Sequence, residues 1–455
     1  MAELNSLNSE QRKAVHRIDG PVLILAGAGT GKTNTITHRV AHMVDQGISP
    51  ENILAVTFTN KAAREMQKRV ATLIPNPPKR EDGKPLKSTV CTFHSLCVRI
   101  LRRHIDKLGY KRNFVIYSES EQLGVVKKVL SAIAGKDVKA DPRELHGILS
   151  RVKNAGSGGA GKVFGSEEAV AMADHIRGRY DTALKAANAV DFDDLLVLTL
   201  KLFKDYPEAL EECRVRYQYV TVDEYQDTNA TQYELMYLLA KEHRNVCVVG
   251  DDDQSIYGWR GAEISNILDM EKDFPELEVV RLEQNYRSSR VILDAANAVI
   301  KNNPRRRPKE LWSAKGQGDF IGVQPFDDEE KEAEAVVGEI EFNRMTKRIP
   351  WKDHAILFRT NIQARPLETA LRKAEVRYNL IGGQSFFDRR EIRDFLAYMK
   401  TMVNPNDDAS LLRIANVPVR GLSDVTMERL LNASQERSGS VWQAMNNDLV
   451  IHEFQ

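Results

Sequence analysis

Short apolar runs punctuate the first part of the chain, at about 22–26, 53–58, 88–92, 219–223, 245–249 and 278–282, with stretches of helical periodicity between them. Runs of that length, rich in Val, Ile and Leu, predict strands buried on both faces. Strands alternating with helices predict a parallel sheet with helices on both sides. The alternation breaks between about 104 and 192, which reads as mostly helical and so as an inserted subdomain. A second α/β unit starts near residue 283, with candidate strands at 319–326, 353–358 and 377–383 and an amphipathic acidic helix at 327–345. From about 384 the pattern is helical again, and Phe395, Leu396 and Met399 recur at the spacing of a core face.

The chemistry sits where strands end. PVLILA (21–26) runs into AGAGTGKT (26–33), and a helical pattern follows. A glycine-rich turn between strand and helix aims backbone N–H groups and a helix N-terminus at an anion. Ala26, Gly27, Ala28, Gly29, Thr30 and Gly31 form that turn, Lys32 reaches outer phosphates, and the Thr33 hydroxyl is a Mg²⁺ ligand. The strict pattern has glycine where Ala26 stands. A second glycine-rich stretch, GSGGAGKV (156–163), has Val163 where the metal hydroxyl belongs and no strand before it, so it reads as a loop. YVTVDEYQD (219–227) places Asp223 at the end of a buried strand to hold Mg²⁺, and Glu224 beside it to orient or deprotonate water. RNVCVVG (244–250) leads into DDDQSIYGWRGA, where Gln254 is a candidate contact to the γ-phosphate or the attacking water. Tyr257 and Trp259 are candidate platforms for stacked bases, the sequence-tolerant way to hold a single strand. Arg260 bridges phosphate and the acidic cluster in this reading.

Segments in this order resemble a superfamily-one DNA helicase of the UvrD/Rep/PcrA type. LNSEQRKAV (7–15), TFTNKAAREM (57–66), TFHSLCVRIL (92–101), DFDDLL (191–196), LEQNYRSS (282–289), AILFRTNIQAR (355–365), GGQSFFDRREIRDFLAYMK (382–400) and NPNDDASLLRIANVPVRG (404–421) join the motifs above, so the resemblance covers nearly the whole chain. It implies two RecA-like motor domains, the second incomplete, with mostly helical inserts: residues 1–103 with 193–280, an insert at 104–192, a second motor segment at 281–383, and the start of a second insert at 384–455. It further implies that Gln11 reads adenine, Tyr286 stacks on it, and Arg287 reaches the γ-phosphate. Phe58, Thr59, Asn60, Thr92, Phe93 and His94, with Arg359 and Asn361 in the second motor segment, are implied strand contacts. Where the family carries an arginine on the adenine face, this chain has Asn34. The family's histidine and lysine-glycine segment and its final arginine motif are not found before Gln455. The implied function is ATP- and Mg²⁺-dependent 3′–5′ movement on single-stranded DNA, with unwinding at strand junctions in replication or repair, by a monomer or a DNA-induced dimer with possible repair partners. An ATP-gated strand-binding fragment or adaptor without unwinding is the alternative. A helicase–nuclease subunit is disfavoured, since no nuclease motif or cysteine cluster accompanies the motor motifs.

Composition narrows little. With 42% hydrophobic and 28% charged residues the chain has the balance of a soluble globular protein. Without an apolar run of about 18 residues no membrane span is predicted, and without a signal-like N-terminus a cytoplasmic setting is expected. Cys91, Cys97, Cys213 and Cys247 lack metal-ligand spacing and read as buried thiols. A net charge of +1 means that any DNA track is local. Candidates are Lys61, Arg64, Lys68 and Arg69, then Arg99, Arg102 and Arg103, and PRRRPK (304–309), whose flanking prolines suggest an exposed, solvated linker.

Overall fold

A computed structural model describes residues 4–133, 141–154, 166–381, 390–422, 424–437 and 439–447. The glycine-rich stretch at 156–163 and the segment 382–389 lie outside the described residues.

The strands are β1 (Val22–Ala26), β2 (Ile53–Thr57), β3 (Thr89–Thr92), β4 (Val115–Ile116), β5 (Ala189–Val190), β6 (Tyr219–Val222), β7 (Val246–Gly250) and β8 (Glu278–Leu282). Six of them form one sheet in the order β3-β2-β6-β7-β1-β8, all parallel. The period of two divides the apolar runs between two cores. Leu23, Leu25, Leu54, Val56, Val220 and Val222 pack with helices Phe93–His104, Phe192–Asp205 and Ala230–Ala240 on one face. Val22, Ile24, Ala55, Val249 and Val280 pack with Ala14, Ile36 and Met66 on the other. Both faces are covered, which is why β1 reads as unbroken VLILA with no polar alternation.

The insert hangs from a two-residue parallel ribbon that the sequence pattern did not suggest. Val115 pairs with Ala189 and Ile116 with Val190, so entry and exit are tied together. Helices Glu119–Ile133, Pro142–Asn154 and Glu167–Ala186 then bury Tyr117, Val126, Leu145, Ile148, Ile176 and Leu184 in a core of their own.

Two compact units separate by contact: one holds the residues up to Gly318 and from Ala397 on, the other Asp319–Leu396. In the smaller unit, Glu329–Thr346 packs on Ala364–Lys373 through Ala333, Val337, Ala370 and Leu371. Asp328 caps the first of these helices by accepting the Lys331 N–H at 2.7 Å. The three strands expected here do not form among the described residues, and Phe320, Val323 and Leu357 are 89%, 92% and 94% exposed. A strand exists only where a neighbour takes its backbone groups, and no ladder partner lies beside these runs among the described residues. The expected core face of helix Arg390–Val403 is likewise corrected: Phe395 and Met399 are 63% and 50% exposed, and Ala397 is the buried residue.

All four cysteines are free and buried, as expected, and burial pushes the Cys91 thiol up to about 11. No described helix is long and apolar enough to cross a membrane.

Asp408 accepts the Val441 N–H at 2.7 Å, and burial pushes its carboxyl up to about 6. A raised folded-state pKa means stability fully present below the unfolded value and lost as pH rises through about 6. Asp408→Asn is therefore expected to stabilise the chain by about 1–2 kcal/mol at pH 8, a value discounted for partial exposure, and not at pH 4. Urea melts at the two pH values check this; an equal effect at both contradicts it.

Candidate nucleotide and strand site

Every candidate catalytic element of the larger unit follows the C-terminal end of a sheet strand, where open α/β sheets bind ligands. After β1, Gly29 and Gly31 take left-handed φ values of 72° and 87°. A side chain at Gly29 would also collide, its Cβ falling 2.6 Å from Asn285 Nδ2 and 2.8 Å from Arg287 Cβ. Gly31 is the N-cap of helix Lys32–Asp45 without a side-chain cap bond, which leaves the first-turn N–H groups for an anion.

Lys32 Nζ donates to Glu224 Oε2 at 2.8 Å. Glu224 has φ +50°, a left-handed conformation that costs a non-glycine residue strain and is characteristic of functional turns. Its N–H returns to Asp223 Oδ1 at 3.0 Å. Burial raises Asp223 to about 6, helped by the charge of Glu224 and opposed by Lys32. Asp227 is also raised to about 6, by burial and by Glu224. At Glu224 burial acts upward too, but Lys32 and the Gln226 hydrogen bond outweigh it and hold the carboxyl below its usual value. Three carboxylates thus share one ammonium, an excess of negative charge that suits a hard divalent cation. The candidate oxygen donors for it are the Asp223 carboxylate and the hydroxyl of Thr33, the residue after Lys32.

The residues implied to contact adenine come from both ends of the unit. Tyr286 N–H donates to the Gly29 carbonyl at 2.9 Å, and Asn285 Nδ2 to that of Ala28 at 2.6 Å. Tyr286 Oη donates to Gln284 and accepts from Asn8 Nδ2, each at 2.9 Å. Gln11 is buried, and both ends of its amide are committed here: Nε2 donates to the Thr30 carbonyl at 2.9 Å, and Oε1 accepts the Asn8 N–H at 3.0 Å. In this state Gln11 shapes the phosphate loop. Thr30 also turns inward, its hydroxyl donating to the Gly27 carbonyl at 2.8 Å. Leu311 packs where a Cβ on Gly27 would stand, 2.3 Å from its Cδ2. Asn34 offers its carbonyl to Thr37 and His38.

The turn after β7 is wired to the same carboxylate. Gln226 Nε2 donates to Glu224 Oε2 at 3.0 Å while its Oε1 accepts the Asp251 N–H at 2.9 Å. Asp251 Oδ2 in turn accepts Gln254 Nε2 at 2.5 Å. Sequence reasoning gave Gln226 no role; its signal was a buried glutamine between two acids.

Three residues beyond Gln254, Tyr257 stacks on Phe58 (5.3 Å between centroids, 26° between planes), with Trp259 tilted beside it at 6.4 Å. Trp259 is 64% exposed. Thr59 and Asn60 are exposed, Thr59 capping helix Asn60–Leu73. His94 packs on Phe192 at 5.4 Å, and burial pushes its imidazole down. Phe192, 55% exposed, was missed; its signal was an aromatic set among the acids of DFDDLL. Two of the implied strand contacts are not exposed side chains. Phe93 is buried in the core beneath the sheet, and Thr92 is buried with its hydroxyl spent on capping the helix that follows and on Ser95. Arg359 and Asn361 are exposed on the smaller unit. The Arg260 side chain lies outside the described residues.

The basic stripes resolve unevenly. Arg102 lies over the Phe114 ring at 3.9 Å and Arg103 pairs with Glu212 at 2.8 Å. PRRRPK is no solvated linker. Lys309 is buried, 2% exposed at its side chain, with Nζ 2.9, 2.5 and 2.7 Å from carboxylates of Asp251, Asp252 and Asp253. Burial works against its charge, and the three acids outweigh burial and raise its pKa.

The N-terminal domain model of UvrD/REP helicases matches residues 7–275, and the C-terminal domain model of UvrD-like helicases matches 280–453. The chain belongs to the UvrD/REP helicase family. It is 46% identical over 447 residues to a protein named ATP-dependent DNA helicase PcrA from Staphylococcus aureus, and 45% identical over 448 residues to the protein of that name from Staphylococcus epidermidis. Each alignment covers 98% of this chain and 60% of the relative, so the chain spans about 60% of the length of these curated relatives.

Proposed function

We propose that the protein is an ATP-dependent motor on single-stranded DNA, moving 3′ to 5′ and opening duplex junctions in replication or repair, in the cytoplasm. The observation that carries this reading is one hydrogen-bonded line from Lys32 through Glu224, Gln226 and Asp251 to Gln254, three residues before the half-buried Tyr257 and five before the exposed Trp259. A phosphate event at one end has a rigid path to the strand platform at the other.

The resting contact sets the order of events. Lys32 lowers the basicity of Glu224 while the two are paired. Incoming phosphates draw Lys32 away, and Glu224, losing its cation, becomes a better acceptor for a water proton. Magnesium, when bound, supplies charge neutralisation for the phosphates. Thr33 and Asp223 are its protein ligands in this account. In this account Arg287, beside Gly29, stabilises charge on the γ-phosphate, and Gln11 and Tyr286 flank the adenine. In this account Phe58, Tyr257 and Trp259 carry the bases, and the His94–Phe192 pair is a further candidate contact. Steady-state ATP hydrolysis with and without a single-stranded oligonucleotide tests the reading.

Trp259→Ala is expected to weaken binding of a labelled single-stranded oligonucleotide by about 5- to 150-fold, the equivalent of about 1–3 kcal/mol for one stacked base. Fluorescence anisotropy measures it. An unchanged affinity removes Trp259 from the strand interface.

The exposure of Phe320, Val323 and Leu357 favours a second reading, in which this chain binds strand and nucleotide without productive unwinding. A duplex-unwinding assay on the same preparation separates the two.

A further inference from the structure

The strap at 304–309 has no part in the motor reading so far, yet it ends in a lysine buried against three acids. Asp251, Asp252 and Asp253 bring their carboxylates within 4.8 Å of one another, which alone makes a candidate cation site. The cation there is the chain's own. An ammonium is a compact point charge with three donors, and each of the three acids takes one. Arg306 closes the outer side with a bidentate pair on Asp253, both contacts 2.8 Å. The Arg307 N–H donates to Asp252 Oδ2 at 2.6 Å. The strap lies in the stretch matched by the C-terminal family model, and the acids lie in the stretch matched by the N-terminal one.

Asp251 is the residue through which this contact matters. Its Oδ1 faces Lys309 while its Oδ2 holds Gln254, and its backbone N–H holds Gln226, which holds Glu224. Removing Lys309 leaves three adjacent carboxylates repelling one another at the short turn Asp252–Gln254 and its cap Asp251.

We propose that Lys309, supported by Arg306, is a positioning residue that fixes Asp251 and thereby sets Gln254 and Glu224 for turnover. The proposal rests on the motor reading above and names a further part of the same site. It acts on the geometry of hydrolysis and not on ligand binding, so it separates kcat from KM.

The test uses the full chain with Lys309→Met and Arg306→Gln. For strand-stimulated ATP hydrolysis, Lys309→Met is expected to lower kcat about tenfold or more with KM for ATP and strand affinity within about threefold, and Arg306→Gln to lower kcat by about threefold. Hydrogen exchange at 251–257 is expected to quicken in Lys309→Met. Should that variant fail to fold, Asp253→Asn/Lys309→Met, which carries one acid fewer, is read against Asp253→Asn alone, with the same loss of kcat expected. Folded variants with the parent kcat overturn the proposal, as does a lowered melting temperature with kcat and KM intact. Unchanged exchange at 251–257 overturns it whatever the turnover. Absence of strand stimulation in the unaltered chain instead overturns the motor reading beneath it.

Discussion

Glu224→Gln is expected to lower kcat for strand-stimulated ATP hydrolysis by about a hundredfold to ten-thousandfold, the usual contribution of a positioned base. The substitution keeps the side chain's size and an oxygen to accept from Lys32 and Gln226, so the turn after β6 keeps its hydrogen-bond pattern. What is lost is the charge that accepts a proton. Nucleotide and oligonucleotide affinities, read by titration with a labelled ATP analogue and a labelled strand, are expected to stay within a few-fold of the parent. Lys32→Ala is expected to abolish turnover as well, but with weaker nucleotide binding, because Lys32 is the cation facing the phosphates. Parent-like turnover in Glu224→Gln would refute the assignment of the base.

Lys153→Met is expected to destabilise the chain by about 3–5 kcal/mol, because removing one partner of a buried ion pair strands the other. Lys153 Nζ lies 2.8 Å from Asp191 and 2.7 Å from Asp194, with all three side chains 10% exposed or less. Asp181 adds a third contact at 3.4 Å. Burial and the neighbouring Asp191 push Asp194 up, and Lys153 opposes them. Without Lys153 the cluster loses its ammonium, and the repulsion between Asp191 and Asp194 is left to neutral donors such as the Tyr180 hydroxyl, 3.1 Å from Asp191 Oδ2. The effect is large against a typical total stability of about 5–15 kcal/mol. It reaches the site, because the adjacent Asn154 donates to Asp193 at 2.7 Å and accepts from Asn229 at 2.8 Å, joining the insert to the turn after β6. Urea unfolding followed by circular dichroism measures the loss; a change below about 1 kcal/mol, small for any buried pair, would contradict the reading of this cluster.

How legible these features were in the sequence follows their physics. The six sheet strands were readable because each is an apolar run between polar ends, buried on both faces, and the match is within a residue or two. The same signal failed at 319–326 and 353–358, where apolar character was present and, among the described residues, no strand pairs beside them. The phosphate loop, the acid pair and the aromatic turn were readable as motifs, since each is contiguous. What escaped was non-contiguous. Lys309 finds its acids more than fifty residues upstream, and a basic run between prolines gives no local sign of that. Asn285 holds a backbone carbonyl, and Gln226 bridges the Glu224 carboxylate to the Asp251 N–H across separate strand ends, which no local side-chain pattern reveals. Phe93 shows the converse limit: a motif implied a strand contact, and the side chain is in the core.

The most direct test of the account is steady-state ATP hydrolysis by the chain with and without a single-stranded oligonucleotide, beside Glu224→Gln. The account predicts turnover that rises strongly with the strand and is lost in the variant. Turnover indifferent to the strand, or equal in the variant, would contradict it.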